Sequence, residues 1–150
     1  MPPSAEQASV SRDRFVVPGR VHELDTARER LLRVLEGVDA SPQGVYDAEL
    51  VLEELFTNVV RYGLRADADS VVSIAFVAQA DGLAITIENE GVEFDPRTVP
   101  EPERPTCLEE ARIGGLGLVL VRRVARRLEY ERAGGRNRVT AVLALRPEVS

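Results

Sequence analysis

The chain has 150 residues, 44% of them apolar and 29% charged, which suits one soluble globular domain able to bury its own core. A net charge of −6 argues against a general nucleic-acid binder, and no apolar run approaches the roughly 20 residues of a membrane span. All 19 basic residues are arginine, so the lysine of a Walker P-loop and the lysine of an ordinary protein-kinase ion pair are both absent.

Residues 1–12 are polar, with proline and serine among them, and read as a loose tail ahead of one domain over residues 13–147. The start lacks the apolar stretch of a signal peptide, which makes the cytoplasm the default compartment. Arg14 to Val17 reads as a short strand. Leu24, Ala27, Leu31, Val34 and Val38 then recur at helical spacing. The only histidine, His22, falls at the start of that helix and reads as a helix-end residue, and no G-x-S-x-G turn accompanies it for hydrolase chemistry. A turn at Asp39–Pro42 leads into a second helix with Ser41 as N-cap and Pro42 at its first position. Its apolar stripe is Val45, Ala48, Leu52, Leu55, Val59 and Tyr62.

Within that helix, the segment EELFTNVVRYG places Glu54, Asn58 and Arg61 within roughly 60° of one another on the flank of the stripe. A carboxylate can take a proton from an attacking hydroxyl, and an amide oxygen one turn later can join phosphate oxygens and water around Mg²⁺. The same three residues also make an ordinary polar helix surface, so other segments have to decide.

Val72, Ile74 and Phe76, then Leu83, Ile85 and Ile87, alternate as two strands joined at Asp81-Gly82, an antiparallel pair. Asn89 shares the parity of Leu83, Ile85 and Ile87, so it ends the face that packs on helices and needs a partner there. Residues 95–113 carry four prolines and no periodicity, the pattern of a long mobile loop or lid, and include the lone cysteine, Cys107, to which no role is assigned. Gly114, Gly115, Leu116 and Gly117 open a third helix with apolar positions Leu116, Leu120, Val124 and Leu128. Glycines ahead of a helix N-terminus allow close backbone approach to a phosphate. Two strands follow, about Leu128–Arg132 and Arg138–Leu145, joined through Gly134-Gly135, with Val139, Ala141, Leu143 and Leu145 on one face and Thr140 on the other or at the entry. Arg122, Arg123, Arg126 and Arg127 cluster on the third helix, as a solvated face or a surface for an acidic partner.

In this order, E-L-x-T-N-x-x-R-Y-G, N-x-G-x-x-F-D-P, G-G-L-G-L-x-L-V-R-R and G-R-N-R-V-T resemble the GHKL ATPase superfamily, and within it the small anti-sigma-factor serine kinases. The resemblance runs from about Phe15 to Leu145. It implies an α+β two-layer sandwich, a mixed, mostly antiparallel sheet covered on one face by about three helices, with ATP held between helices and lid. By resemblance, Asn58 is the ligand of Mg²⁺ and Glu54 the acid that activates the acceptor hydroxyl. Arg61 balances phosphate charge, Asn89 and Gly91 meet the adenine, Gly114, Gly115, Leu116, Gly117 and Leu118 surround the phosphates, and Thr140 stands near the adenine. Arg112 is carried as a phosphate contact.

Two positions depart from the pattern. The family usually has an aspartate where this chain has Asn89, and a second glycine where it has Glu93. An amide oxygen still accepts a hydrogen bond, but without charge assistance, so weaker ATP binding is expected. The function implied is an ATP-dependent serine/threonine kinase that phosphorylates a small anti-anti-sigma (STAS-type) partner and holds a sigma factor in alternation. The alternative is a non-catalytic partner-switching module. Dimerisation to a homodimer is common in the branch, though no sequence feature here carries it.

Overall fold

A computed structural model describes residues 10–64, 69–79, 81–98 and 116–147. Strand β1 (Ser11–Pro18) buries Phe15 and Val17 and exposes Arg14 and Val16, the alternation of a half-buried strand. It begins inside the segment expected to be tail. A single 3₁₀ turn at Val21–Glu23 leads into α1 (Leu24–Glu36), which buries Leu24, Ala27, Leu31, Val34 and Leu35. The Asp13 carboxylate accepts two hydrogen bonds from Arg30, at 2.7 and 2.8 Å, tying β1 to α1, and the same guanidinium lies over the Phe15 ring.

Helix α2 (Pro42–Asn58) starts as the cap residues dictate: Ser41 Oγ accepts the Gly44 N–H at 3.0 Å and donates to the Leu145 carbonyl at 3.1 Å. Gly44 packs so tightly on the Leu145 backbone that a side chain there would collide with it. After Asn58 the winding changes, and Val59–Gly63 form a π turn instead of continuing the expected α-helix.

Strands β2 (Val71–Ala78) and β3 (Gly82–Glu90) form the expected hairpin, and β4 (Arg127–Ala133) and β5 (Arg136–Ala144) form a second one through Gly134 and Gly135, both at positive φ. The sheet order is β1-β2-β3-β5-β4 and all four pairings are antiparallel, so among the described residues the sheet is not mixed. Helices α1, α2 and α3 (Leu116–Val124) carry the residues that complete the core. The third helix is shorter than its apolar spacing suggested. It buries Leu118, Val119 and Val121 while Leu120 is exposed, and Leu128 belongs to β4. Of the expected arginine cluster, only Arg122 and Arg123 are on the helix; Arg126 follows it and Arg127 opens β4.

Candidate functional site

Asn58 ends α2 one turn after Glu54, and its Nδ2 donates to the Glu54 carbonyl at 2.6 Å. That bond commits the NH₂ end to the helix and leaves Oδ1 as the acceptor end, the atom a hard cation could use. Glu54 is half-buried. Burial pushes its carboxyl above the ordinary value, the neighbouring Glu53 adds to the effect, and Arg61 acts in the opposite direction. Glu54 is thus bonded to Asn58 through its backbone carbonyl, and its carboxyl is within electrostatic reach of Arg61. Arg61 lies in the π turn, so its direction differs from the one a continuous α-helix would give it.

The π turn ends at Gly63, whose carbonyl receives two donors: Asn89 Nδ2 and the Val92 N–H, both at 2.9 Å. Gly91 packs directly on that carbonyl, and a Cβ at position 91 would lie inside its contact distance. Glycine is thus needed here for one stretch of backbone to meet another. Asn89 is 1% exposed, and its Oδ1 has no hydrogen-bond partner among the described residues. Among the described residues it is the one buried side-chain nitrogen or oxygen left unsatisfied, and such an atom costs stability until a donor reaches it.

Directly across the sheet in register stands Asn137, 2% exposed, which sequence reasoning missed. Its Oδ1 accepts from the Phe94 N–H at 3.3 Å, the Tyr130 hydroxyl at 2.7 Å and Arg132 Nη1 at 3.1 Å, and its Nδ2 donates to the Val92 carbonyl at 2.7 Å. Arg132 also donates to the Gly91 carbonyl, and the Gly91 N–H to the Gly135 carbonyl. The backbone from Gly91 to Phe94 is held on both sides, and Phe94 stacks on Tyr62 with ring centroids 5.4 Å apart. The signal that could have found Asn137 is its parity: it shares the face of Val139, Ala141 and Leu143.

Beyond Phe94 the chain makes a 3₁₀ turn at Pro96–Thr98, and Arg122 on α3 donates to the Pro96 and Arg97 carbonyls at 3.0 and 2.7 Å. Arg122 therefore fastens the root of the 95–113 loop to α3. Arg97 grips Asp95 at 2.9 Å and faces the Tyr130 ring. The rest of the expected lid, with Cys107, Arg112, Gly114 and Gly115, lies outside the described residues; Leu116 and Gly117 are placed only as backbone at the start of α3, and Leu118 is buried behind it. Glu93 is exposed in the turn after β3.

Thr140 is not brought to this group. It lies on the opposite face of the sheet, its hydroxyl 3.3 Å from that of Thr86, because strand parity turns it away from Val139 and Ala141. Thr140 is thus on the sheet face away from Asn89, and Asn137 occupies the helix-facing position next to Asn89. His22 is exposed beside Glu23, away from these residues. Among the described residues there is no cluster of three metal-ligating side chains, and no helix is long and apolar enough to cross a membrane.

Comparison with known proteins gives a consistent result. The histidine kinase-like ATPase domain family matches residues 17–143. The chain is 27% identical over 119 residues to the serine-protein kinase RsbW of Staphylococcus aureus, covering 74% of this chain and 75% of that one. It is 25% identical over 99 residues to the serine/threonine-protein kinase BtrW of Bordetella bronchiseptica, covering 66% and 70%. Among solved structures, the SiaB-SiaC complex from Pseudomonas aeruginosa aligns with a TM-score of 0.58 at 15% identity over 92% of both chains. The RsbU and RsbW domains of Rv1364c from Mycobacterium tuberculosis align with a TM-score of 0.58 at 14% identity, over 89% of this chain and 32% of that longer one. These likenesses establish the fold, and with the match over residues 17–143 the chain belongs to the histidine kinase-like ATPase domain family.

Proposed function

We propose that this chain is an ATP-dependent serine/threonine protein kinase and anti-sigma regulatory factor, acting on a small anti-anti-sigma partner of the STAS type in a partner-switching system with a sigma factor. The kinase reading is supported by relatives named serine-protein kinases. The observation that carries the site is the Oδ1 of Asn89, buried and without a donor among the described residues, an acceptor of the kind a 6-aminopurine would satisfy, on β3 beside the Gly63 end of the segment that bears Glu54 and Asn58.

In this reading Asn58 Oδ1 would be the protein ligand for Mg²⁺ and Arg61 would balance phosphate charge, while the glycines Gly114, Gly115 and Gly117, with Leu116 and Leu118, keep the phosphate role that the resemblance assigns to them. Bound Mg-ATP supplies the phosphoryl group and the cation that neutralises it. Glu54 holds the proton of the partner's serine hydroxyl. Its raised affinity for a proton, which comes first from burial, makes the carboxylate a better acceptor than an exposed one. Gly91, Val92 and Phe94 are already held by bonds to Asn137 and Arg132, so this stretch of backbone needs no ligand to fix it.

The test is phosphate transfer from labelled Mg-ATP to a purified STAS-domain protein encoded by the same organism. Glu54→Gln should lower transfer by about 10²–10⁴-fold while calorimetric ATP affinity stays near that of the wild type. Binding of nucleotide and partner without transfer would leave a partner-switching module with no chemistry. No nucleotide binding at millimolar concentration would sink the ATP site itself.

A further inference from the structure

Asn89 stands where the resemblance leads one to expect an aspartate, and its two amide ends are used differently. The Gly63 carbonyl can only accept, so the 2.9 Å bond fixes which end of the amide is NH₂. The same Nδ2 lies 3.4 Å from the Glu90 carbonyl, so two backbone acceptors face it. The other end, Oδ1, is buried and has no donor among the described residues.

Resting on the nucleotide reading above, we infer that Asn89 is a two-ended positioning residue. Its NH₂ end locks the end of the Glu54/Asn58 helix to β3 at Gly63, its oxygen end is kept for an N–H donor of the bound base, and a carboxylate in its place is not equivalent. An aspartate could offer an acceptor to the base, but its second oxygen would confront the Gly63 and Glu90 carbonyls with no proton between them. It would have to hold a proton to restore the tether, or leave its position. The site cannot open around it easily, since Gly63 is also bonded to the Val92 N–H and packed against Gly91. Asparagine therefore trades a stronger bond to the base for a fixed helix end. The substitution that looks like repair from sequence should do damage.

The experiment compares wild type, Asn89→Asp and Asn89→Ala by nucleotide-free thermal unfolding and by calorimetric binding of Mg-ATP and of purine riboside triphosphate, which lacks the 6-amino group. Asn89→Asp should melt below wild type without nucleotide and bind ATP about tenfold more weakly. Wild type should prefer ATP over the 6-unsubstituted nucleotide by about tenfold, and Asn89→Ala should lose that preference. An aspartate variant that melts with wild type and binds ATP as tightly or more tightly would overturn the tether. Equal binding of the two nucleotides by wild type would overturn the reserved acceptor. If the aspartate variant does not fold, the preference of wild type and its loss in the alanine variant decide. Failure of wild type to bind either nucleotide would count against the ATP site as a whole, and the nucleotide-free melting comparison would still decide the tether.

Discussion

Glu54 and Glu53 are adjacent acids, and burial of the first is the main reason its carboxyl is held above the usual value of 4.5. A carboxyl whose folded value is raised contributes stability that is fully present below the unfolded value and is lost as pH rises through the folded one. Glu54→Gln keeps the shape and removes the ionisation. The variant should therefore match wild type in acid and melt above it once the pH passes the raised value, even as its transfer activity falls. Parallel melting curves across that range would mean burial carries no penalty at this site. Asn137 argues the opposite case, a buried amide whose oxygen and nitrogen both have partners. Asn137→Leu strands the Phe94 N–H, the Tyr130 hydroxyl and the Val92 carbonyl and should cost about 2–4 kcal/mol in denaturant unfolding, with a loss under about 0.5 kcal/mol counting against its role.

At the scale of elements, the strands were readable because one face is solvated, so apolar residues alternate cleanly along β2, β3 and β5. The third helix was not, because Leu118, Val119, Leu120 and Val121 are all apolar and periodicity cannot say which of four neighbours turns inward. The π turn was equally hidden: nothing in Val59–Gly63 marks it, and its end is fixed by bonds from Asn89 and Val92, far along the chain. The start of α2 was legible to the residue, through Ser41 and Pro42. That cap also reaches across to Leu145, so Ser41→Ala should lower stability by about 1 kcal/mol, measured as a shifted urea midpoint at constant slope. An unchanged midpoint would mean water replaces both bonds without loss.

Over the whole molecule, the proposed catalytic flank could be read locally for Glu54 and Asn58, which share α2, but not for Arg61, which the π turn redirects. The proposed base end could be read only in part: parity found Asn89, but its mate Asn137 and the bonds from Arg132 and Tyr130 depend on β5 lying beside β3 and β4 beside β5, which no short window contains. The same dispersion has a thermodynamic consequence. A ligand held by α2, β3 and the start of α3 needs the assembled fold and has no site in the unfolded chain, so it stabilises the folded protein as a whole. At about 100 times its Kd, Mg-ADP should add about 2.7 kcal/mol, which for a chain of this size is a rise of about 5–10 °C in Tm. Thermal unfolding with Mg-ADP, with ADP and chelator, and with Mg²⁺ alone separates the contributions. Asn58→Ala should shrink the difference between the first two, because it removes the amide oxygen assigned to the cation. If chelator makes no difference to the wild-type shift, the metal role of Asn58 is wrong even though the nucleotide site stands.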